Sequence, residues 1–538
     1  MTKPLDTRTH RIAAKGSSVG HFLSQIHDRI NGNMQPLWRD RRIAMASAIG
    51  CAAVWGAVAG WWTPRSPLTS AQALWSIGLS LVVGALAGLV TRSRWAMLTT
   101  PVAFATVFEF TRLDIAGPTV DKIHFSTYGT LAFVVGRGFH AALSLIPMVL
   151  GASVGAGVAR RSVHDGRTVT SNKRVSRYAR TGVAALLSTA VLALAVGLAR
   201  PATTASIVGS DGKVLPGSIA ELRTVNVNGH KLSMMIRGQS VSNPVLLFLA
   251  GGPGGSEMGA MRKHLPLLEE RFTVVTWDQR GTGRSYPELD PISTVTVSGA
   301  VTDTIAVTDY LRNRFKQPQI YLSGQSWGSI LGVLALQKRP MSYRAFVGIG
   351  QMVSPVETDR IFYQDTLTWA QKTGKTGLVK RLRKIGQPPY TNMLDYETAL
   401  SYEHEVHPYD TSKNSEGAGG FSENFFVSEY SLIDQVHLLA GFLDTFASMY
   451  PQIQDLDFRV SATHFTVPMY FVEGVHEAPG RSIPFKEWFA TIDAPVKKTV
   501  EFDTSGHRPL FEQPDRFVAF MTNTVLTDAE KTNKGQRA

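Results

Sequence analysis

Cysteine occurs once in 538 residues, at Cys51 inside an apolar run, so no intramolecular disulfide can staple any part of the chain. Its scarcity does not exclude a domain outside the cytoplasm, because large domains fold without disulfides. Charge is also scarce, but only locally: it is nearly absent from long stretches before about residue 200 and ordinary after it. The formal net charge of +13 is not accompanied by any recognisable nucleic-acid motif, and nucleic acid is not expected as a partner. Lys and Arg instead border apolar segments, at Arg39, Arg41 and Arg42 and again at Arg160, Arg161, Lys173, Arg174, Arg177 and Arg180. That is the distribution of a multi-pass membrane region. A chain of this length exceeds one ordinary domain, and two or three units are expected.

Ile43–Trp62 carries no charge over a span that, at ~1.5 Å per residue, crosses a ~30 Å hydrocarbon core. The polar lead of residues 1–42 and the further apolar runs do not fit a cleaved signal peptide. Four more candidate spans follow: Ala71–Val90, Trp95 to about Glu109, roughly Gly129–Val158, and Gly182–Ala199. The third is short, ends in Glu109-Phe110-Thr111-Arg112, and reads equally as a buried or re-entrant segment. Trp61, Trp62, Trp75 and Trp95 lie near the span ends, where an amphipathic indole favours the headgroup zone. With five spans the N-terminus, the Thr91–Arg94 turn and the Arg160–Arg180 loop are cytoplasmic, and everything after Ala199 is extracytoplasmic. Arg137 and His140 fall inside the fourth run, and pairing within the bundle is the expected role for such isolated ionisable groups.

From about Glu221 the pattern changes to short β-rich runs alternating with helical stretches, the mark of α/β architecture. Leu222–Val227 and Lys231–Ile236 flank Asn228-Gly229 as a hairpin. Val245–Leu249, Thr273–Trp277, Gln319–Leu322, Arg344–Ile349, Val467–Val472 and Lys498–Phe502 read as strands. Val301–Phe315 and Ile330–Gln337 read as helices. In such sheets function gathers at the carboxyl ends of the strands. There stands Gly324-Gln325-Ser326-Trp327-Gly328, whose glycines permit the tight strand-to-helix turn that exposes a nucleophilic serine, Ser326. Acyl transfer also needs N–H donors for a developing oxyanion. Those donors are expected from Trp327 and from Gly252 in Gly251-Gly252-Pro253-Gly254-Gly255, where no Gly-Lys-Ser/Thr follows to make a phosphate loop.

His507, in Ser505-Gly506-His507, completes the chain order of nucleophile, acid and histidine as the base. His404, His407 and His464 lack that placement. Glu477, in the turn beyond the Val467–Val472 strand, is the expected orienting carboxylate. Glu473 sits at the strand end, and Glu357 and Asp359 follow an earlier strand.

The glycine loop, Asp278-Gln279-Arg280-Gly281-Thr282-Gly283-Arg284-Ser285 and the Ser326 elbow together resemble the proline iminopeptidase branch of the α/β-hydrolase superfamily, over about Leu222–Thr522. The resemblance implies an N-terminal-residue peptidase with a helical cap at about 353–462, and an architectural role for Asp278 and Arg280. Two departures bear on the substrate. Ala250 stands where the family commonly has His, and the cap has no clear match to its acidic amine-binding motif, although Glu403, Glu405, Glu423 and Glu429 are available there.

The expectation is therefore a basic cytoplasmic segment 1–42, a transmembrane region 43–199 of about five all-α spans, an α/β-hydrolase domain 205–525 of mostly parallel sheet, and a polar tail 526–538. The enzyme would be an extracytoplasmic-facing, aminopeptidase-like serine hydrolase anchored in the lipid bilayer, acting on a small peptide or ester through an acyl-enzyme. It requires no metal or organic cofactor. An esterase or lipase on membrane-proximal substrates, or a non-catalytic ligand-binding membrane receptor, are the alternatives; epoxide hydrolases and dehalogenases usually carry Asp at the elbow.

Overall fold

The structure is a computed structural model and describes residues 38, 40–161, 171–410 and 422–528. Arg39, the N-terminal lead to residue 37, residues 162–170 of the basic loop, and the tail from 529 lie outside the described residues. The chain divides into two units. One takes Met1–Ile115 with Arg137–Ala199; the other takes Ala116–Gly136 with Arg200–Ala538. Residues 116–136, which the sequence pattern assigns to the apolar region, thus belong to the second unit.

The helical unit holds α1 (Arg41–Trp62), α2 (Ser70–Thr91), α3 (Ala96–Thr111), the later part of α4 (Thr127–Arg160) and α5 (Ser171–Ala199). Asp40 starts α1 by accepting the Arg42 N–H at 2.8 Å, and Thr69 starts α2 by accepting that of Gln72 at 3.2 Å. α1, α2, α4 and Arg180–Ala199 of α5 are long and apolar enough to cross a membrane. α3 is apolar but has 16 residues, about 24 Å of helix, which falls short of a full hydrocarbon core.

Small residues at four-residue spacing set the α2–α4 contact. A Cβ at Gly84 or Gly88 would overlap the carbonyl oxygen of Met148 or Ala152, and one at Gly151 or Gly155 that of Leu81 or Ala85. The two backbones touch because both helices present glycine there. Around Arg137 and His140 α4 opens into π-helical turns, Val134–Gly138 and Ala141–Leu145. Arg137 makes two 3.1 Å hydrogen bonds to Glu109 of α3, which also binds Arg112, and His140 meets the Arg65 carbonyl at 3.2 Å. The ionisable pair inside the fourth apolar run is thus partnered within its own unit.

The second unit is built on an eight-stranded sheet in the order β1-β2-β4-β3-β5-β6-β7-β8. β1 (Ile219–Val227) and β2 (His230–Gly238) form the expected hairpin, with positive φ at Asn228 and Gly229 giving its tight turn. β3 (Val245–Leu249), β4 (Thr273–Trp277), β5 (Ile320–Gln325), β6 (Tyr343–Ile349), β7 (Met469–Gly474) and β8 (Lys497–Phe502) are mutually parallel, while β2 joins β4 antiparallel. β5 runs past Leu322 because Gly324 and Gln325 still pair with Gly348 and Ile349 of β6. The central strands are buried, as parallel strands covered on both faces must be.

Helix α6 (Val297–Phe315) begins at Thr296, which accepts the Gly299 N–H, and α7 (Trp327–Lys338) packs over β3, β5 and β6. Between β6 and β7 lies the helical cap, with α8 (Pro355–Lys372), α9 (Thr376–Ile385), α10 (Met393–Leu400) and α11 (Leu432–Met449). A reciprocal Ser431/Asp434 capping box opens α11. Asp278 and Arg280 hold the frame. Buried Asp278 accepts the Arg284 N–H at 2.8 Å and the Tyr430 hydroxyl at 2.9 Å, and Arg280 pairs with buried Asp303 at 2.8 Å. Burial outweighs those bonds and raises the Asp278 carboxyl to about 6.

The α2–α4 contact predicts opposite outcomes two residues apart. Gly155→Leu forces helices apart and should cost about 1–3 kcal/mol, read as a lower Tm in detergent by circular dichroism. Gly157→Leu, where an added Cβ meets nothing within 4 Å, should leave Tm near wild type.

Candidate active site

Ser326 stands between β5 and α7 with φ 54° and ψ −119°, a strained conformation for a residue with a side chain. The strain is maintained from both sides. A Cβ at Gly324 would overlap the Gly328 carbonyl, and one at Gly328 would overlap the Leu249 carbonyl, so strand, turn and helix cross at backbone contact. The Ser326 N–H is fixed to the Ile349 carbonyl at 3.0 Å. Trp327 opens α7, where a backbone N–H has no partner within its own helix.

The glycine loop follows β3 and lies against this turn. A Cβ on Gly251 would collide with the Gln325 amide oxygen and come within 3.4 Å of Ser326 Cβ. Gly252 adopts φ 123°, a conformation that favours glycine. Gln279 ties loop to elbow: its Nε2 donates to the Ala250 carbonyl at 3.2 Å, and its Oε1 accepts the Trp327 indole N–H at 2.9 Å. This middle residue of the Asp-Gln-Arg motif was passed over in the sequence, though both its neighbours had an assigned role.

His507 Nδ1 lies 2.6 Å from Glu477 Oε2. Its backbone is held by Gln325, whose Nε2 donates to the His507 carbonyl at 3.1 Å, and by Glu512, which accepts the N–H groups of Gly506 and Arg508. Gly350, at φ 50°, leaves room for the imidazole: a Cβ there would lie 2.9 Å from Nδ1. Glu477 accepts the Ala478 N–H at 2.9 Å and Arg481 Nε at 2.7 Å. Arg481, one helical turn on, also reaches Glu403 and was not anticipated; its i,i+4 spacing from Glu477 was the available signal.

Burial pushes the Glu477 carboxyl upward, but Arg481 and His507 overcome it and hold it at about 2. Glu473, on the same strand end, accepts the Gln351 N–H and is pushed well above the usual carboxylate range by burial and then by the charge of Glu477. The two neighbouring carboxyls therefore diverge, Glu477 held low and Glu473 pushed high. Glu357 and Asp359 face other groups, Arg459 for the first and Tyr450 with Gln454 for the second. His407 and His464 pair with Asp365 and Asp493, and His404 lies against Tyr409.

Ser326, His507, Gly251 and Gly252 open onto one cleft of about 390 Å³. Its walls are apolar, from Phe425, Leu438, Phe442, Phe446 and Tyr128. Its charged lining is Glu257 and Arg508, paired at 3.2 Å. The cap carboxylates considered for an ammonium are mostly engaged: Glu403 with Arg481, Glu423 with His264 at 2.6 Å, and Glu429 with Arg262 at 2.5 Å. Glu405 does not line the cleft.

A family profile described as alpha/beta hydrolase fold matches residues 244–454. Probable aminopeptidase YbaC of Bacillus subtilis is 30% identical over 300 residues, which cover 56% of this chain and 94% of that protein. A probable proline iminopeptidase of Leptolyngbya boryana is 27% identical over 132 residues, 24% of this chain and 39% of that one. Among solved structures, the proline iminopeptidase of Mycobacterium smegmatis overlays with a TM-score of 0.42 at 17% identity, covering 58% of this chain and 100% of its own.

The diverging carboxylates give a paired test. Glu477→Gln should lower kcat/KM on the order of 10³-fold by releasing the imidazole, whereas Glu473→Gln puts a neutral amide where burial already disfavours the charged carboxylate and should stay near wild type. The depressed Glu477 value also makes its ion pair a source of stability above the ordinary carboxylate range, lost only as pH falls toward about 2.

Proposed function

The chain belongs to the α/β-hydrolase superfamily, on its proline iminopeptidase-like branch, and from that membership we propose a membrane-anchored serine peptidase that works through an acyl-enzyme. The observation that carries the reading is the strained Ser326 sharing a cleft with a histidine that Glu477 holds by its other ring nitrogen. Ser326 Oγ attacks the scissile carbonyl while His507 Nε2 takes its proton. The N–H groups of Gly252 and Trp327 stabilise the oxyanion. His507 then gives the proton to the leaving amine, and a water, deprotonated by the same nitrogen, releases the acyl group and restores Ser326. Glu477 stays ionised throughout and keeps Nδ1 protonated.

The substrate is a small peptide with an apolar N-terminal residue. The apolar cleft walls support this, as does the aminopeptidase name carried by the Bacillus subtilis relative. Ester cleavage is the second reading, favoured by the engagement of Glu403, Glu423 and Glu429 with basic groups of the protein, which leaves Glu257 as the carboxylate facing the cleft among the described lining residues.

Anchoring rests on the four long apolar helices and on the distribution of Lys and Arg. A further argument comes from the division of the chain. Residues 116–126, ahead of the fourth span, and the chain after Ala199 belong to one unit, so they share one side of a bilayer and an even number of crossings separates them. The spans Thr127–Arg160 and Arg180–Ala199 supply two. The Lys and Arg of the loop between them assign that loop to the cytoplasm and hence the hydrolase unit to the other side, which, with a cytoplasmic basic N-terminus, has α3 cross as a short fifth span.

Two experiments test these readings. A serine-directed fluorophosphonate should label wild type and not Ser326→Ala; equal labelling of both would remove Ser326 as nucleophile. Prolyl and alanyl arylamides should be turned over, and exclusive turnover of acyl esters would replace the peptidase reading with the esterase one. For topology, a reporter at Ser171 should read cytoplasmic and one at the C-terminus extracytoplasmic; two cytoplasmic signals would contradict the orientation.

A further inference from the structure

The cleft contains a residue that lies outside the hydrolase segment of the chain. Tyr128 comes from residues 116–136, which precede β1 by some of the most apolar sequence in the protein and yet are part of the second unit. The segment is clamped at buried polar positions. Thr119 donates both its N–H, at 3.1 Å, and its hydroxyl, at 2.7 Å, to Asp444 of α11, and both residues are buried. The Tyr128 N–H donates to buried Glu397 of α10 at 3.0 Å, while Ser126 caps the helical turn by accepting the Gly129 N–H. Charge-assisted bonds at two buried carboxylates fix the loop far better than surface contacts would. The Tyr128 ring then stands edge-on to Phe442 of α11, centroids 6.1 Å apart at 89°. Phe442 and Gly441 are the backbone against which Gly254 of the oxyanion loop packs.

We propose that Tyr128 is a specificity-determining residue of the cleft, closing the apolar pocket so that it takes a short, uncharged, apolar group on the acyl side of the scissile bond. The inference rests on the serine-hydrolase reading and adds to it: the segment that leads into the fourth apolar helix, with that helix's first turn, is part of the substrate site. The remaining walls, Phe425, Leu438, Phe442 and Phe446, have no formal charge, and Glu257 and Arg508 neutralise each other at the polar side. Size is therefore what the pocket can discriminate, and Tyr128 is the wall delivered by a separate stretch of chain.

The test uses the full-length protein in detergent and compares kcat/KM for phenylalanyl and alanyl arylamides, or for hexanoyl and acetyl esters if only esters turn over. The ratio of large to small substrate does not depend on how much of each variant folds. Tyr128→Ala should raise that ratio about 10-fold, the scale on which an apolar pocket discriminates by size, and Tyr128→Trp should lower it. Tyr128→Phe should match wild type, because the wall is the ring and its edge contact. A ratio unchanged in both the Ala and Trp variants would overturn the proposal, as would a Phe variant that behaves like Ala. Wild type that resists the fluorophosphonate and cleaves neither series would instead fail the hydrolase reading, and this inference with it.

Discussion

The crossing of α7 over β3 and β5 at Gly324 and Gly328 is the contact on which the rest of the site depends. With a side chain at either position the helix would stand away from the sheet, because the space for a Cβ is already taken by backbone carbonyls. That separation would relax the turn at Ser326. The same close approach brings Gly251 against Gln325 and Ser326, so the glycine loop is positioned by the elbow. Gln279 then bridges Ala250 and Trp327 with its two amide ends, joining the same two segments through side-chain hydrogen bonds.

Electrostatics complete what packing begins. Glu473 and Glu477 are four residues apart and both buried, and two adjacent buried negative charges would be costly. Arg481 and His507 both bond Glu477, whereas Glu473 feels Arg481 only through its charge, so the ionised form is favoured at Glu477 and disfavoured at Glu473. The outcome is one carboxylate committed to the imidazole, itself held by Arg481 and the Ala478 N–H. Such support around the acid is what keeps an imidazole in one tautomer through a reaction cycle.

Much of this was legible in local sequence. Asn228-Gly229 marks the hairpin turn, Val245–Leu249 and Thr273–Trp277 coincide with β3 and β4, and the elbow lies at the end of β5. Glu477 could be preferred to Glu473 because a carboxylate at a strand end points into the sheet, whereas one in the following turn can reach a histidine loop. Other parts had no local signature. Thr119 and Asp444 meet across 325 positions, and Tyr128 and Glu397 across 269, and neither pair lies in a recognisable motif. The hydropathy that marks the apolar helices says nothing of which unit the loop between them packs with, and residues 116–136 group by contacts with the hydrolase. The third apolar run is short in the sequence and is a 16-residue helix, while the π-helical turns near Arg137 leave no mark in the periodicity.

The central claim is a covalent intermediate on Ser326, held by the arrangement of Glu477, His507 and the glycine loop. It is tested most directly by intact-protein mass spectrometry after rapid acid quench of the enzyme with a slowly deacylating aryl ester. The account predicts one equivalent of acyl mass per chain, mapped to the peptide containing Ser326, appearing in step with a burst of aryl alcohol and absent from Ser326→Ala. Steady turnover of the same ester with no burst and no acyl adduct on that peptide would contradict it.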